Sequence, residues 1–171
     1  AASVLKKENV CSVTLYNLLV WNSYNGCVLK LISFQGRCSE PNELLIINDE
    51  RILVVGITIS YYNFSDNSED PEPIPISPEI DGGASCAIML DKDTIVFGCH
   101  NLKISIRSSQ SFEEICSLSG HIGPILSIVP INENIIASSS GDLTIKIWNY
   151  SIETCLNTID VAYIPYSLCK L

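Results

Sequence analysis

Short stretches of the chain trade polar and apolar residues with period two, the spacing of a half-buried strand. Thr144-Ile145-Lys146-Ile147-Trp148 is the clearest of them. A tight-turn signal at Ser140-Gly141-Asp142 separates it from the apolar run Ile135 to Ser139, as two strands of a hairpin would require. Ile125 to Val129 precedes that pair and Cys155 to Ile159 follows it, so the region predicts four short strands in succession. The same order of apolar segments recurs earlier in the chain: Leu44 to Ile47 with Ile52 to Val55, then Cys86 to Leu90 with Thr94 to Gly98 and Ile115 to Leu118. Cys27 to Ile32, after Trp21, offers the closing strand of a first such unit.

Taking Trp148 as an anchor, Trp21, Tyr62 and Ile106 fall in the equivalent slot, at intervals of 41, 44 and 42 residues. Four-stranded units repeating near forty residues are the signature of propeller blades. The fold predicted is therefore all-β, a β-propeller of about four antiparallel four-stranded blades plus one strand. Residues 1–34, 35–80, 81–119 and 120–160 are the expected blades, and 161–171 the expected first strand of a further one.

The fourth unit carries Gly120-His121, then twenty-six residues, then Trp148-Asn149, and on these residues it resembles the WD-repeat family of β-propellers. The family's Asp after the Trp is Asn here. The resemblance implies a buried hydrogen-bonded set of His121, Ser138, Asp142 and Trp148. Each buried polar member must find a partner or be expelled. The other units are degenerate: the first has Leu15 where the turn Asp would lie, the second a shortened turn at Gly56-Ile57, and the third Cys99-His100-Asn101 in its turn. Family propellers usually close with seven or eight blades, so the resemblance implies part of a larger propeller, completed by more sequence or by another chain or copy. The rival expectation closes a four-bladed ring, with Tyr166 to Leu171 as innermost strand of the first unit.

Composition agrees with the strand reading: 25 Ile, 17 Leu and 10 Val stand against 6 Ala, and β-branched residues suit a pleated surface. The net charge of −9 disfavours nucleic acid or an anionic membrane as partner. No uncharged stretch reads as a membrane-spanning helix and no secretory leader is visible at the start, so an intracellular location, cytoplasmic or nuclear, is expected. The eight cysteines show no C-x-x-C pair and sit mostly in apolar runs, which predicts buried free thiols and no metal. No cofactor is implied, since Gly82-Gly83 and Gly120-His121-Ile122-Gly123 lack the setting of a phosphate loop.

His121, Ser138 and Asp142 are also the residue types of a hydrolytic triad. Ser138 lies in Ala137-Ser138-Ser139-Ser140, a strand running into a turn and not the sharp elbow a nucleophile needs, so structural hydrogen bonding is the expected role and no enzyme activity is expected. His100, alone in its turn, is expected to be solvated. From Ser65 to Asp81 the chain is acidic and Pro-rich, which predicts an inserted loop between the third and fourth strands of the second blade. Asp66, Glu69, Asp70 and Glu72 would make it a docking segment for a basic partner. Asn63-Phe64-Ser65 and Asn149-Tyr150-Ser151 match the glycosylation pattern, a match of low specificity.

The family binds partner proteins at the loops entering each blade and the turns before each third strand. Here that surface would comprise Ser119, Ile122, Ser140 and Gly141 on the fourth blade, with Asp81, Gly82, Gly83, His100 and Asn101 on the third. The functional expectation is a non-enzymatic scaffold binding proteins or peptides. The alternative is a structural subunit pairing through its blade edges. Tyr150-Ser151 and Ser23-Tyr24 stand where an Arg would mark a ubiquitin-ligase recruiter, so that sub-function gains no support.

Overall fold

The computed structural model describes residues 2–5, 9–14, 17–33, 41–48, 51–63, 74–75, 80 and 82–170. Within them the protein is all β, with sixteen strands in four antiparallel four-stranded sheets. The chain divides into two compact units, 1–77 and 78–171, each holding two sheets.

In the first unit, β1 (Ala2–Leu5), β2 (Asn9–Val13), β3 (Asn17–Asn22) and β4 (Val28–Ser33) pair in chain order. The second sheet is β5 (Pro41–Asn48), β6 (Arg51–Gly56), β7 (Ser60–Asn63) and β8 (Ile74–Pro75), again in chain order. Alternation does the packing: Cys11, Val13, Leu18, Val20 and Ile32 turn to one side and meet Leu44, Ile52, Val54 and Tyr62. Each such side chain, fully buried, contributes about 1.5–3 kcal/mol.

The second unit repeats the plan with β9 (Ala84–Met89), β10 (Thr94–Cys99), β11 (Ile104–Ser108) and β12 (Glu114–Leu118), followed by β13 (Ile125–Pro130), β14 (Ile135–Ser140), β15 (Thr144–Asn149) and β16 (Thr154–Asp160). Cys86, Val96, Ile104, Ile106 and Leu118 of the third sheet close on Ile125, Ile128, Ile136 and Trp148 of the fourth. Gly98 makes this approach possible, because a Cβ there would lie 2.8 Å from Ile125 Cγ2. Ser85 Oγ adds a hydrogen bond to the backbone carbonyl of Ile125.

Four expectations need correction. The third anchor is Arg107, not Ile106. Trp148 pairs with Ile136, Tyr62 with Ile52 and Trp21 with Val10, each opposite the second residue of its neighbouring strand, and in the third sheet Arg107 holds that place opposite Ile95. A bulge falls beside the anchor in three sheets, between Val20 and Trp21, Ile106 and Arg107, and Ile147 and Trp148. The extra residue is on the outer strand each time, Leu29, Ile115 and Leu156, so the bulge recurs with the anchor and marks its slot.

The Pro-rich segment is not wholly loop, because β8 is its two-residue edge strand, with Ile74 opposite Tyr61 and Pro75 opposite Ser60. A sheet edge tolerates a residue without an N–H. Asp66, Glu69, Asp70, Glu72 and Asp81 lie outside the described residues.

The strand expected over 161–171 is not formed, as residues 161–170 pair with no strand. Leu168 N–H reaches Ser127 Oγ at 3.1 Å and Lys170 Nζ reaches the Ile131 carbonyl at 2.9 Å, so β13 is met largely through a side chain. Nor does the segment complete the first sheet, whose own first strand is β1.

The thiols are less buried than expected. All seven described cysteines are free, but only Cys11, Cys86 and Cys99 are buried, while Cys27, Cys155 and Cys169 are exposed. Every residue of β16 is exposed, so an apolar run on an outermost strand does not imply burial. Burial pushes the thiols of Cys11 and Cys99 up to about 11, which keeps them as inert thiols.

Candidate functional site

The residues best placed to do something together are on the fourth sheet and the loop that leads into it. That loop, 119–124, folds back onto the turn 140–143, where Gly141 N–H donates to the Pro124 carbonyl at 2.9 Å. Gly123 is needed for the approach, since a Cβ there would sit 2.6 Å from the Asp142 nitrogen. Gly120 has φ +149° and faces the Trp148 ring, 3.2 Å from where its Cβ would be.

Between loop and turn runs one directed chain of hydrogen bonds. Trp148 Nε1–H donates to Ser138 Oγ at 2.8 Å, and Ser138 Oγ lies 2.7 Å from His121 Nε2. His121 Nδ1 is 2.8 Å from Asp142 Oδ2. An ionised carboxylate only accepts, so the proton of a neutral imidazole sits on Nδ1 and Ser138 donates to Nε2. Asp142 collects further donors: Ile122 N–H at 3.0 Å on Oδ2, with Thr144 N–H at 2.9 Å and Thr144 Oγ1 at 2.6 Å on Oδ1. The side chains of His121 and Asp142 are 1% and 3% exposed.

Burial sets the charge states against each other. For His121 it lowers the pKa, Lys146 adds to the lowering, and the hydrogen bond and charge of Asp142 do not offset them. For Asp142 burial works upward, but the bonds from Thr144, Ile122 and His121 outweigh it and hold the carboxyl well below the usual carboxylate range. Both shifts tie stability to pH with the same sign. The unfolded chain binds a proton at its histidine, ordinarily near 6.5, before the folded chain does, so stability falls as pH drops below that value. The Asp142 contribution is complete above the ordinary carboxyl pKa of 3.8 and is lost on further acidification. Urea midpoints followed by tryptophan fluorescence are expected to be level between about pH 7 and 8 and to decline from about pH 6.5. A midpoint rising on acidification through that window would show that the folded state takes up the proton first.

The Asp–His–Ser order is also that of a hydrolytic triad, and its distances are short enough. Access decides against that chemistry: Ser138 is 0% exposed, and its oxygen already takes the indole N–H. No substrate carbonyl can reach the hydroxyl in this arrangement.

The other sheets keep parts of the device. In the third, the turn Cys99-His100-Asn101-Leu102 matches Ser140-Gly141-Asp142-Leu143, with Leu102 and Leu143 at φ 68° and 65°. Asn101 Oδ1 accepts from Lys103 N–H at 3.2 Å, as Asp142 does from Thr144. The slots of His121, Ser138 and Trp148 are taken by Ile80, Phe97 and Arg107, all buried. Arg107 makes its own network, donating to Ser105 Oγ at 2.9 Å and the Phe112 carbonyl at 2.9 Å, with Glu114 Oε2 at 3.4 Å. His100 is exposed but not free, its Nδ1 lying 2.7 Å from the Gly82 carbonyl. Loop and turn are therefore joined there with the histidine on the other partner. In the first sheet Trp21 Nε1–H donates to Ser12 Oγ at 2.9 Å, a pair that sequence reading missed although a Ser stands nine residues before the Trp. Leu15 lies outside the described residues.

Of the surface expected on loops and turns, Ser119, Ile122, Gly82, His100 and Asn101 are exposed and Gly141 half-buried. Ser140 and Gly83 are buried instead. The Ser140 hydroxyl accepts Asp142 N–H at 3.1 Å, which turns it into the sheet. Ile122 stands out at 86% exposed, on a loop whose backbone Asp142 pins.

Comparison with solved structures shows the fold to be a WD40-like β-propeller. A crystal structure described as the WD40 beta propeller domain of Doa1 matches with TM-score 0.77 and 14% identity over 95% of this chain and 54% of that one. The chain thus spans about half of the propeller it resembles. No protein-family profile and no curated protein matches the sequence.

Proposed function

We propose that the protein is a non-enzymatic interaction module, a WD-repeat scaffold that holds partner proteins or peptides on the loop-and-turn surface of its third and fourth sheets. The observation that carries this reading is Ile122: a large apolar side chain 86% exposed, on a loop fixed from below by the Asp142 carboxylate at 3.0 Å. Loops that bind are useful when rigid elements hold them, and an apolar anchor ringed by polar groups suits a protein surface. Ser119 on the same loop is exposed, as are Gly82, His100 and Asn101 on the corresponding loop and turn of the third sheet. The buried set of His121, Ser138, Asp142 and Trp148 supports the surface without touching a ligand.

A photo-crosslinking residue at position 122, against one at Asn132 on the hairpin turn between β13 and β14 as control, tests the reading in extract of the native cell. Adducts with other proteins at 122, absent at 132 and suppressed by unlabelled protein but not by its Ile122→Asp variant, are expected. Equal labelling at the two positions, or none at 122, would dispose of it.

A further inference from the structure

We propose that the outward faces of the first and fourth sheets are the two halves of one contact, and that a second copy of this chain supplies each with its partner, head to tail. The inference uses sheet faces rather than loops and stands apart from the reading above.

Inside the second unit the ladders of the two sheets correspond position by position. Gly98 pairs with Ile104 and Cys86 in the third sheet, as Ser139 pairs with Ile145 and Ser127 in the fourth. It follows that Val96, Ile104, Ile106 and Leu118 correspond to Ala137, Ile145, Ile147 and Ile159. In the third sheet this face is closed by Ile125, Ile128, Ile136 and Trp148, leaving Ile104, Ile106 and Leu118 each 1% exposed. On the fourth sheet Ile159 is 43% exposed, and Ile145 and Ile147 are half-buried. The inner part of this face is covered, with Ala137 6% and Ser139 0% exposed, and Leu168 N–H reaches Ser127 Oγ there; the outer part is open.

The complementary half is found in the first unit. The first sheet buries Leu18, Val20 and Ile32 toward the second sheet, so by alternation Leu19, Trp21 and Leu31 lie on its other face. Leu31 is 55% exposed, and Leu19 and Trp21 are half-buried. Trp21 is bonded to Ser12 there as Trp148 is to Ser138. The Trp148 face is the one by which the fourth sheet closes on the third. One chain therefore offers an open face of the isoleucine kind and an open face of the tryptophan kind, the two that already mate once within it. None of these positions is charged, so desolvation opposes the contact little.

Such a contact is heterologous, and two of them close a dimer if the rotation allows, or extend into a chain of copies if not. That gives a test no same-face contact can pass. Sedimentation velocity of the full chain is expected to show concentration-dependent association. Ile147→Glu and Trp21→Glu are each expected to be folded by circular dichroism yet monomeric, and their equimolar mixture to form a dimer, because one intact junction remains between them. Should either variant unfold, Ile159→Glu or Leu19→Glu replaces it. Wild-type chain that stays monomeric up to about 100 μM would overturn the proposal. Association lost in one variant and untouched in the other, or a mixture that remains monomeric, would overturn it equally.

Discussion

Asp142→Ala is expected to lower the unfolding free energy of the 78–171 unit by about 3–5 kcal/mol, because hydrogen bonds to a charged acceptor contribute about 1.5–3 kcal/mol each and several are lost together. The carboxylate accepts four donors, from His121, the Ile122 backbone and both the backbone and hydroxyl of Thr144. With an alanine in place the Ile122 and Thr144 N–H groups lose their acceptor, His121 Nδ1–H is left with Thr144 Oγ1 at 3.3 Å, and only the Gly141 N–H to Pro124 carbonyl bond still ties the 119–124 loop to the turn. Asp142→Asn keeps one acceptor oxygen but turns an NH₂ toward a donor, so about half the loss is expected. Asn101→Ala is the control: the same turn in the third sheet gives up a single bond on an exposed side chain, worth about 1 kcal/mol or less. Chemical denaturation followed by Trp148 fluorescence ranks the three. If Asp142→Ala proves as mild as Asn101→Ala, the carboxylate does not hold loop and turn together.

What could be read from the sequence, and what could not, follows the same contrast between local and tertiary causes. Period-two alternation and the Ser-Gly-Asp turn are local, so the strand pairs around Trp148 and Tyr62 were legible residue by residue, while around Trp21 only the strand that follows it was. The third anchor was not, because its slot is filled by Arg107, and no apolar marker distinguishes a buried guanidinium in advance. The ladder opposite Ile95 and partners that include Ser105, Phe112 and Glu114 explain why a charge can be 1% exposed there. Ser140 misled for a related reason: a serine beside a turn reads as surface until its hydroxyl is seen to cap the turn from within. His100 misled the other way, since the carbonyl that holds it is 18 residues earlier in the chain. Ile145, Ile147 and Ile159 lie in runs that read as half-buried strands, and pattern alone does not say whether their apolar face is covered.

The second large effect is expected at Trp148, where two kinds of stabilisation can be separated. The side chain is 2% exposed, packs in the cluster with Val96, Ile104, Ile106 and Ile136, and meets the His121 ring edge-on at 5.8 Å between centroids. Trp148→Ala removes all of this and leaves a cavity against Gly120, for an expected loss of about 3–5 kcal/mol. Trp148→Phe keeps an aromatic ring in the slot but deletes the indole N–H, so Ser138 retains only its bond to His121. An intermediate loss of about 2 kcal/mol is expected. A double-mutant cycle with Ser138→Ala then isolates the hydrogen bond: Trp148→Phe is expected to cost about 1 kcal/mol less in the Ser138→Ala background than in the wild type. Near-UV circular dichroism reports whether the loop at Gly120 stays ordered. Equal losses for the Phe and Ala variants would mean that the indole N–H, not ring packing, dominates the slot. Zero coupling with Ser138 would mean that packing alone holds it, and the chain from Trp148 through Ser138 and His121 to Asp142 would then be geometry without energetic linkage.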